Sequence, residues 1–350
     1  MIARAILSAV LAVAAIVSLD APLFPRAAAR LEATRSAGGA TTTGSAGGAT
    51  PTSACEGARD PLPEALFYEL RTAAFPGSAR PDVAVHVPPG FDATRRPGLV
   101  VYFHGWQGCV AATLSAEDTP CTDAGPPRPG VDLASAIDAA GVNALLVAVE
   151  VRSDMPTGEP GKLAMPGGLR DLLRELFTEP LAGPLGCTLD VDGLDRVVLV
   201  AHSGGYQAAA SALEFGDVPR VTEVDLLDAL YGADEVFLRW MRSQARRFDP
   251  RVSDPLRLVD LYTCCGGTAD RSRALAQQAS ESFSLAGVSG VFWDDDAETP
   301  ASPDALAHGV VFKRVPGPHG DLPRTYMREL VHAAGFARIE WVSSHSLRLN

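Results

Sequence analysis

Lysine is almost missing from this chain. Of its 30 lysine and arginine residues only Lys162 and Lys313 are lysines, and 42 aspartates and glutamates give a formal net charge of −12. No basic stripe is left to neutralise phosphates, which excludes nucleic acid as a partner. The cysteines and histidines fit no zinc spacing. Neither a dinucleotide fingerprint nor a phosphate-binding loop occurs, so no metal and no cofactor is implied. The chain also lacks an internal repeat. Its N-terminal apolar run, Ala5–Leu19, stops at 15 residues, too short for a comfortable membrane span.

That run suits the apolar core of an export signal, preceded by the single charge of Arg4 and followed by the small residues Ala27, Ala28 and Ala29. Residues 1–29 therefore read as a signal peptide. An uncleaved N-terminal anchor is the alternative, and it would be the chain's only link to a membrane; a buried N-terminal helix is the structural alternative. Residues 30–54 read as a low-complexity tether, because Ser36–Ser53 contains only Gly, Ala, Ser, Thr and Pro. Such a stretch cannot bury enough apolar surface to offset its ordering entropy, and spans about 20–25 Å as a flexible chain. A folded domain is expected over residues 55–350, in a secreted, periplasmic or envelope-tethered protein.

Cys55, Cys109, Cys121, Cys187, Cys264 and Cys265 all follow the tether. An even count in an exported chain points to disulfides. Cys109 with Cys121 is the favoured local pair, closing a loop rich in Pro and Gly. The adjacent Cys264 and Cys265 are expected to bond elsewhere than to each other.

What the chain has in quantity is apolar residues, 47% of the total, arranged as alternating strands and helices from residue 80 onward. Strands are expected at Val83–Val87, Gly98–Phe103, Ala144–Val149, Arg196–Ala201, Val221–Leu227, Leu256–Thr263 and Val310–Val315, with Val288–Trp293 a further short one. Helices are expected at Leu169–Phe177, Tyr206–Phe215, Asp234–Arg247, Asp270–Phe283 and Pro323–Ala334. Several strands are near-continuous apolar runs, as strands covered on both faces should be. The pattern is that of an α/β protein with a mostly parallel central sheet flanked by helices. In such sheets reactive groups gather beyond the carboxyl ends of the strands.

Ser203 lies there, in "VVLVAHSGGYQAA", with small residues two before (Ala201) and two after (Gly205), as a nucleophile elbow requires. The alternative is a serine that merely caps the following helix. His319, in "VPGPHGDLP" after the last strand, is the candidate base. A carboxylate must hold its imidazole in the right tautomer. Asp228, at the end of the strand in "VTEVDLLDALYG", is favoured; Asp270 is the alternative acid, although with Thr268 it also suits a helix start. Asp225 and Asp321 are less well placed. The loop "FHGWQGC" after an earlier strand offers backbone N–H groups at Gly105 and Trp106 that, with that of Gly204, form an oxyanion hole, and His104 braces the loop. Trp106, His202 and Arg152 are the substrate-binding candidates. Glu150, Arg152 and Asp154 fit either a substrate contact or a structural ion pair.

With "HGWQG" (104–108), "AHSGG" (201–205) and "PHGD" (318–321) placed in this order, residues 80–335 resemble the α/β-hydrolase superfamily. The "FHGW" loop and the exported context are most similar to its feruloyl-esterase and polyester-depolymerase-like members. The resemblance implies an α/β-hydrolase fold and a secreted serine hydrolase that cleaves a small-molecule or polymeric carboxylic ester through an acyl-enzyme on Ser203. The stretch between the Asp228 strand and the next is short and reads mostly as helix, so no large cap domain is expected there, and the longer insertions Gly105–Asn143 and Glu150–Asp195 are the candidate walls of the substrate site. Two alternatives stay open: a serine peptidase or amidase on the same fold, and a non-catalytic hydrolase-like binding domain at the cell envelope.

Overall fold

In the computed structural model, residues 62–77, 81–122, 125–264 and 267–339 are described. The expected signal segment, the tether, Cys55 and Cys265 lie outside them. Nine strands form one sheet: β1 (Leu66–Tyr68), β2 (Val83–His86), β3 (Gly98–Phe103), β4 (Ala144–Val149), β5 (Arg196–His202), β6 (Val221–Leu227), β7 (Arg257–Tyr262), β8 (Val291–Asp294) and β9 (Val310–Arg314). Their spatial order is β1-β2-β4-β3-β5-β6-β7-β9-β8. The β1–β2 and β2–β4 pairs are antiparallel and every other pair is parallel. β3, β4 and β6 occupy the ranges expected from the sequence.

The central strands are apolar throughout because each face meets its own core. Leu99, Val101 and Phe103 of β3, with Val197, Leu199 and Ala201 of β5, face one apolar cluster; Val100, Tyr102, Val198 and Val200 face the other. This is the period-two alternation of a strand covered on both sides. The first cluster takes residues from α2 (Gly168–Thr178), α3 (Tyr206–Phe215), α4 (Asp234–Ser243) and α5 (Ala269–Leu285). The second is built with α1 (Leu133–Ala140) and α6 (Leu322–Ala333).

Two of the departures from the sequence expectation are helices. The helix expected to run from Asp234 to Arg247 ends at Ser243 and resumes as a single 3-10 turn, Ala245–Phe248. That break lets Phe248 turn inward between Trp240 and Phe283, with ring centroids 5.0 and 5.7 Å away. The insertion Gly105–Asn143 contains α1, which the sequence did not signal and which ends on the left-handed Gly141. The connection from β6 to α4 spans only residues 228–233.

The two lysines are placed very differently. Lys313 on β9 is 2% exposed, and its ammonium donates to Asp294 Oδ2 (2.7 Å), the Asp296 carbonyl (2.5 Å) and Thr299 Oγ1 (3.0 Å). A buried ammonium needs such partners. Lys162 is exposed and donates to the Arg71 carbonyl at 2.7 Å.

Candidate active site

β5 delivers Ser203 to the carboxyl edge of the sheet. The strand ends at His202, Ser203 takes a left-handed backbone with φ 52°, and a short 3-10 turn leads straight into α3. A non-glycine residue in that region costs about 1–2 kcal/mol and persists only where its surroundings fix it. They do so here by contact: a Cβ on Gly205 would lie 2.3 Å from the Phe103 carbonyl oxygen, so only glycine lets α3 start so close to β3. Ala201 is fully buried on the other side of the turn.

His319 follows β9 in a 3-10 turn, His319–Asp321, at the start of α6. Its Nδ1 donates to Asp228 Oδ2 at 2.8 Å. Asp228 is the first residue after β6, has φ 47°, and its side chain is fully buried. Burial alone would raise this carboxyl. The hydrogen bonds from His319, Thr263 and Thr268, with the charge of the nearby imidazole, reverse that and hold it below the ordinary carboxylate range. Thr263 supplies both its hydroxyl to Oδ2 (2.6 Å) and its N–H to Oδ1 (3.3 Å), and the Thr268 hydroxyl donates to Oδ1.

Asp270 takes the other course open to it. It sits in the first turn of α5, its side chain is 99% exposed, and it pairs with Arg273 at 2.9 Å. The structure thus brings one of the two candidate aspartates to His319 and leaves the other at the surface. The threonines around Asp228 had no signal in the sequence. They lie 35 and 40 residues away, and only the pairing of β6 with β7 joins them.

His202, a substrate-binding candidate, is not aimed into open space. Its Nε2 donates to the His319 carbonyl at 3.0 Å, and the two rings stand 4.8 Å apart. Burial, and then the neighbouring His319, push its pKa down to about 4. Edge-on to His319 lies Tyr231, 6.3 Å away, whose hydroxyl is pushed up to about 12 by burial and by Asp228. Arg152 pairs with Asp154 (2.6 Å) and Glu159 (3.4 Å) and lies 5.8 Å above the Phe75 ring, so its charge is engaged within the protein. Trp106 is 52% exposed.

The loop after β3 lies directly against the Ser203 turn. A Cβ on Gly105 would stand 2.7 Å from Ser203 Cβ. Cys109, which ends this loop, is bonded to Cys121 with 5.6 Å between their Cα atoms, the pair expected from the sequence. Cys187 and Cys264 are also disulfide-bonded. Among the described residues no group of three or more His, Cys, Asp or Glu could hold a metal ion, and no helix is long and apolar enough to cross a membrane.

No protein-family model matches the chain, and no curated protein matches it. Solved structures do. The feruloyl esterase module from Clostridium thermocellum, complexed with sinapinate, matches at 10% identity over 81% of this chain and 93% of that one, with a TM-score of 0.45. A thermostable esterase matches at 13% identity over 72% of this chain and 58% of that one, TM-score 0.42. A hormone-sensitive lipase from a metagenome library matches at 15% identity over 72% and 81%, TM-score 0.37. It is the chain's own architecture that defines it: a mostly parallel sheet covered on both faces, a strand–turn–helix elbow at Ser203 and the His319–Asp228 contact beside it make this an α/β-hydrolase fold.

Proposed function

We propose that the protein is a serine hydrolase that cleaves carboxylic esters. Ser203 is the nucleophile, His319 the base, and Asp228 the group that orients the base. The observation that carries this is the 2.8 Å contact from His319 Nδ1 to the buried Asp228 carboxylate at the strand ends next to the Ser203 turn. With its Nδ1 proton committed to Asp228, the ring presents a bare Nε2 to accept the proton of Ser203. Ser203 Oγ then adds to the ester carbonyl, and the Gly204 N–H and a donor from the Gly105-Trp106 loop stabilise the oxyanion. The proton on Nε2 passes to the departing alkoxide, and water repeats the sequence to release the acid and restore the serine.

The fully buried Asp228 supports catalysis over a passive helix cap at Ser203, because a carboxylate placed out of water needs a partner whose orientation it serves. The disulfide Cys109–Cys121 supports an exported protein. A fluorophosphonate probe tests the proposal. The wild-type protein should be labelled at pH 8 and Ser203→Ala should not. An unlabelled wild type that also hydrolyses no member of an ester and amide panel would leave a binding domain as the better account.

A further inference from the structure

The loop after β3 carries several backbone donors, and the structure commits two of them elsewhere. The Gln107 N–H donates to the Ser153 carbonyl (2.9 Å) and the Gly108 N–H to the Gly105 carbonyl (3.1 Å). Gln107 has φ 62°, the left-handed third position of a tight turn over residues 105–108. Among the described residues, neither the Gly105 N–H nor the Trp106 N–H donates to a backbone carbonyl.

The direction of the Trp106 N–H is fixed by the Gly105 carbonyl. The two groups belong to one planar trans peptide and point opposite ways. That carbonyl is held into the loop by the Gly108 N–H and by His104 Nδ1, which donates to it at 2.9 Å. The other His104 nitrogen, Nε2, lies 3.2 Å from the Val151 N–H and 3.2 Å from Glu150 Oε1. A carbonyl oxygen can only accept, so the 2.9 Å contact places a proton on Nδ1, and the Val151 N–H donating to Nε2 fits the same tautomer. Both side chains are 3% exposed. Glu150 Oε2 also accepts the Val110 N–H (3.0 Å), where the chain leaves the loop for a short helix, Val110–Leu114. The pair thereby ties the two ends of the loop to the end of β4.

We propose that His104 and Glu150 are positioning residues that turn the Trp106 N–H toward the oxyanion, and that Trp106, rather than Gly105, is the loop's donor. This rests on the serine-hydrolase reading above. It assigns the two residues to rate and not to substrate affinity, since the oxyanion exists only after attack on the carbonyl.

Steady-state hydrolysis of p-nitrophenyl butyrate tests it. His104→Ala should lower kcat about 100-fold or more, the loss typical of one missing oxyanion donor, with KM within about twofold. His104→Asn places an amide N–H where Nδ1 stands and should recover at least about tenfold of that loss. Glu150→Gln keeps an acceptor for Val110 and should lose about tenfold in kcat, with a thermal midpoint near that of the wild type. The inference is overturned if His104→Ala keeps its kcat, if the loss lies in KM, or if a folded His104→Asn is no faster than His104→Ala. Should His104→Ala not fold, the other two variants decide: a kcat loss at unchanged KM supports the brace, and wild-type kcat in both overturns it. A wild type that takes the fluorophosphonate label while His104→Ala stays fully active refutes the brace alone. A wild type that neither labels nor cleaves any ester refutes the serine-hydrolase reading beneath it.

Discussion

Replacing Asp228 by asparagine changes one oxygen to an NH2 group, and the surroundings of Asp228 determine which one. Oδ1 faces the Thr263 N–H, a backbone donor that cannot turn away, and Oδ2 faces His319 Nδ1 and the Thr263 hydroxyl. The asparagine oxygen is therefore retained at the Oδ1 position and the NH2 group points at His319. Imidazole meets that donor by becoming an acceptor at Nδ1, which moves its proton to Nε2, the atom that must be bare to receive the Ser203 proton. Loss of the correct tautomer lowers kcat by about 10⁴-fold where it has been measured in another triad, equivalent to about 5.5 kcal/mol of transition-state stabilisation. A loss of about 10³–10⁴-fold in kcat is expected here, measured on p-nitrophenyl butyrate against a Ser203→Ala background, with circular dichroism showing a folded variant. Asp270→Asn, at a side chain 99% exposed and paired with Arg273, should stay within about twofold of the wild-type rate. An Asp228→Asn enzyme that retained a tenth of the wild-type rate, or an Asp270→Asn enzyme as slow as expected for Asp228→Asn, would refute this assignment.

Other perturbations follow from the same geometry. Thr268→Val removes a hydroxyl that donates to Asp228 and should cost about 1–3 kcal/mol of stability by denaturant unfolding, together with a slower kcat; an unchanged midpoint would count against its role. Gly205→Ala forces a methyl to within 2.3 Å of the Phe103 carbonyl oxygen and should destabilise by about 1–3 kcal/mol, as other overpacked sites do, and a neutral result in thermal melts would contradict it. Burial, aided by the charges of Asp228 and Asp234, pushes Asp260 on β7 up to about 8. The folded state thus holds its proton while the unfolded chain has already released it. Stability should fall as pH rises from about 4 to about 8, and Asp260→Asn should flatten that part of the thermal-midpoint profile. His202 has the opposite sense in a different window. Its folded pKa of about 4 lies below the unfolded value, so stability should decline as pH falls from about 6.5 toward 4, and less so in His202→Gln.

The strands that position the site were legible because they are buried on both faces. An apolar run such as Ala144–Val149 has nowhere else to go in a chain of this composition, and its limits are set by the polar residues on either side. The turn at Ser203 was legible for a related reason: small residues two before and two after it reveal a backbone packed against a neighbour. Helix α1 was hidden by its setting. Within a Pro- and Gly-rich insertion, its short Leu-Ile stripe is a weak signal, and only packing against α6 makes it a helix. The environment of Asp228 was hidden for a deeper reason. Whether an aspartate reaches His319 depends on which strands are neighbours, and the threonines that solvate it come from a separate connection between β7 and α5. The role of His202 was hidden because sequence gives its neighbour in the chain, Ser203, but not the carbonyl 117 residues away to which it donates.

The scarcity of lysine has a practical side. One of the two ammonium groups is enclosed by Asp294, Asp296 and Thr299, out of reach of reagents in solution. Among the described residues, only Lys162 offers an exposed side-chain amine, on the short turn Gly161–Ala164 between β4 and α2. Coupling this domain to a surface or a fluorophore through its lysines would thus attach it at a single point, and every immobilised molecule would present the same face.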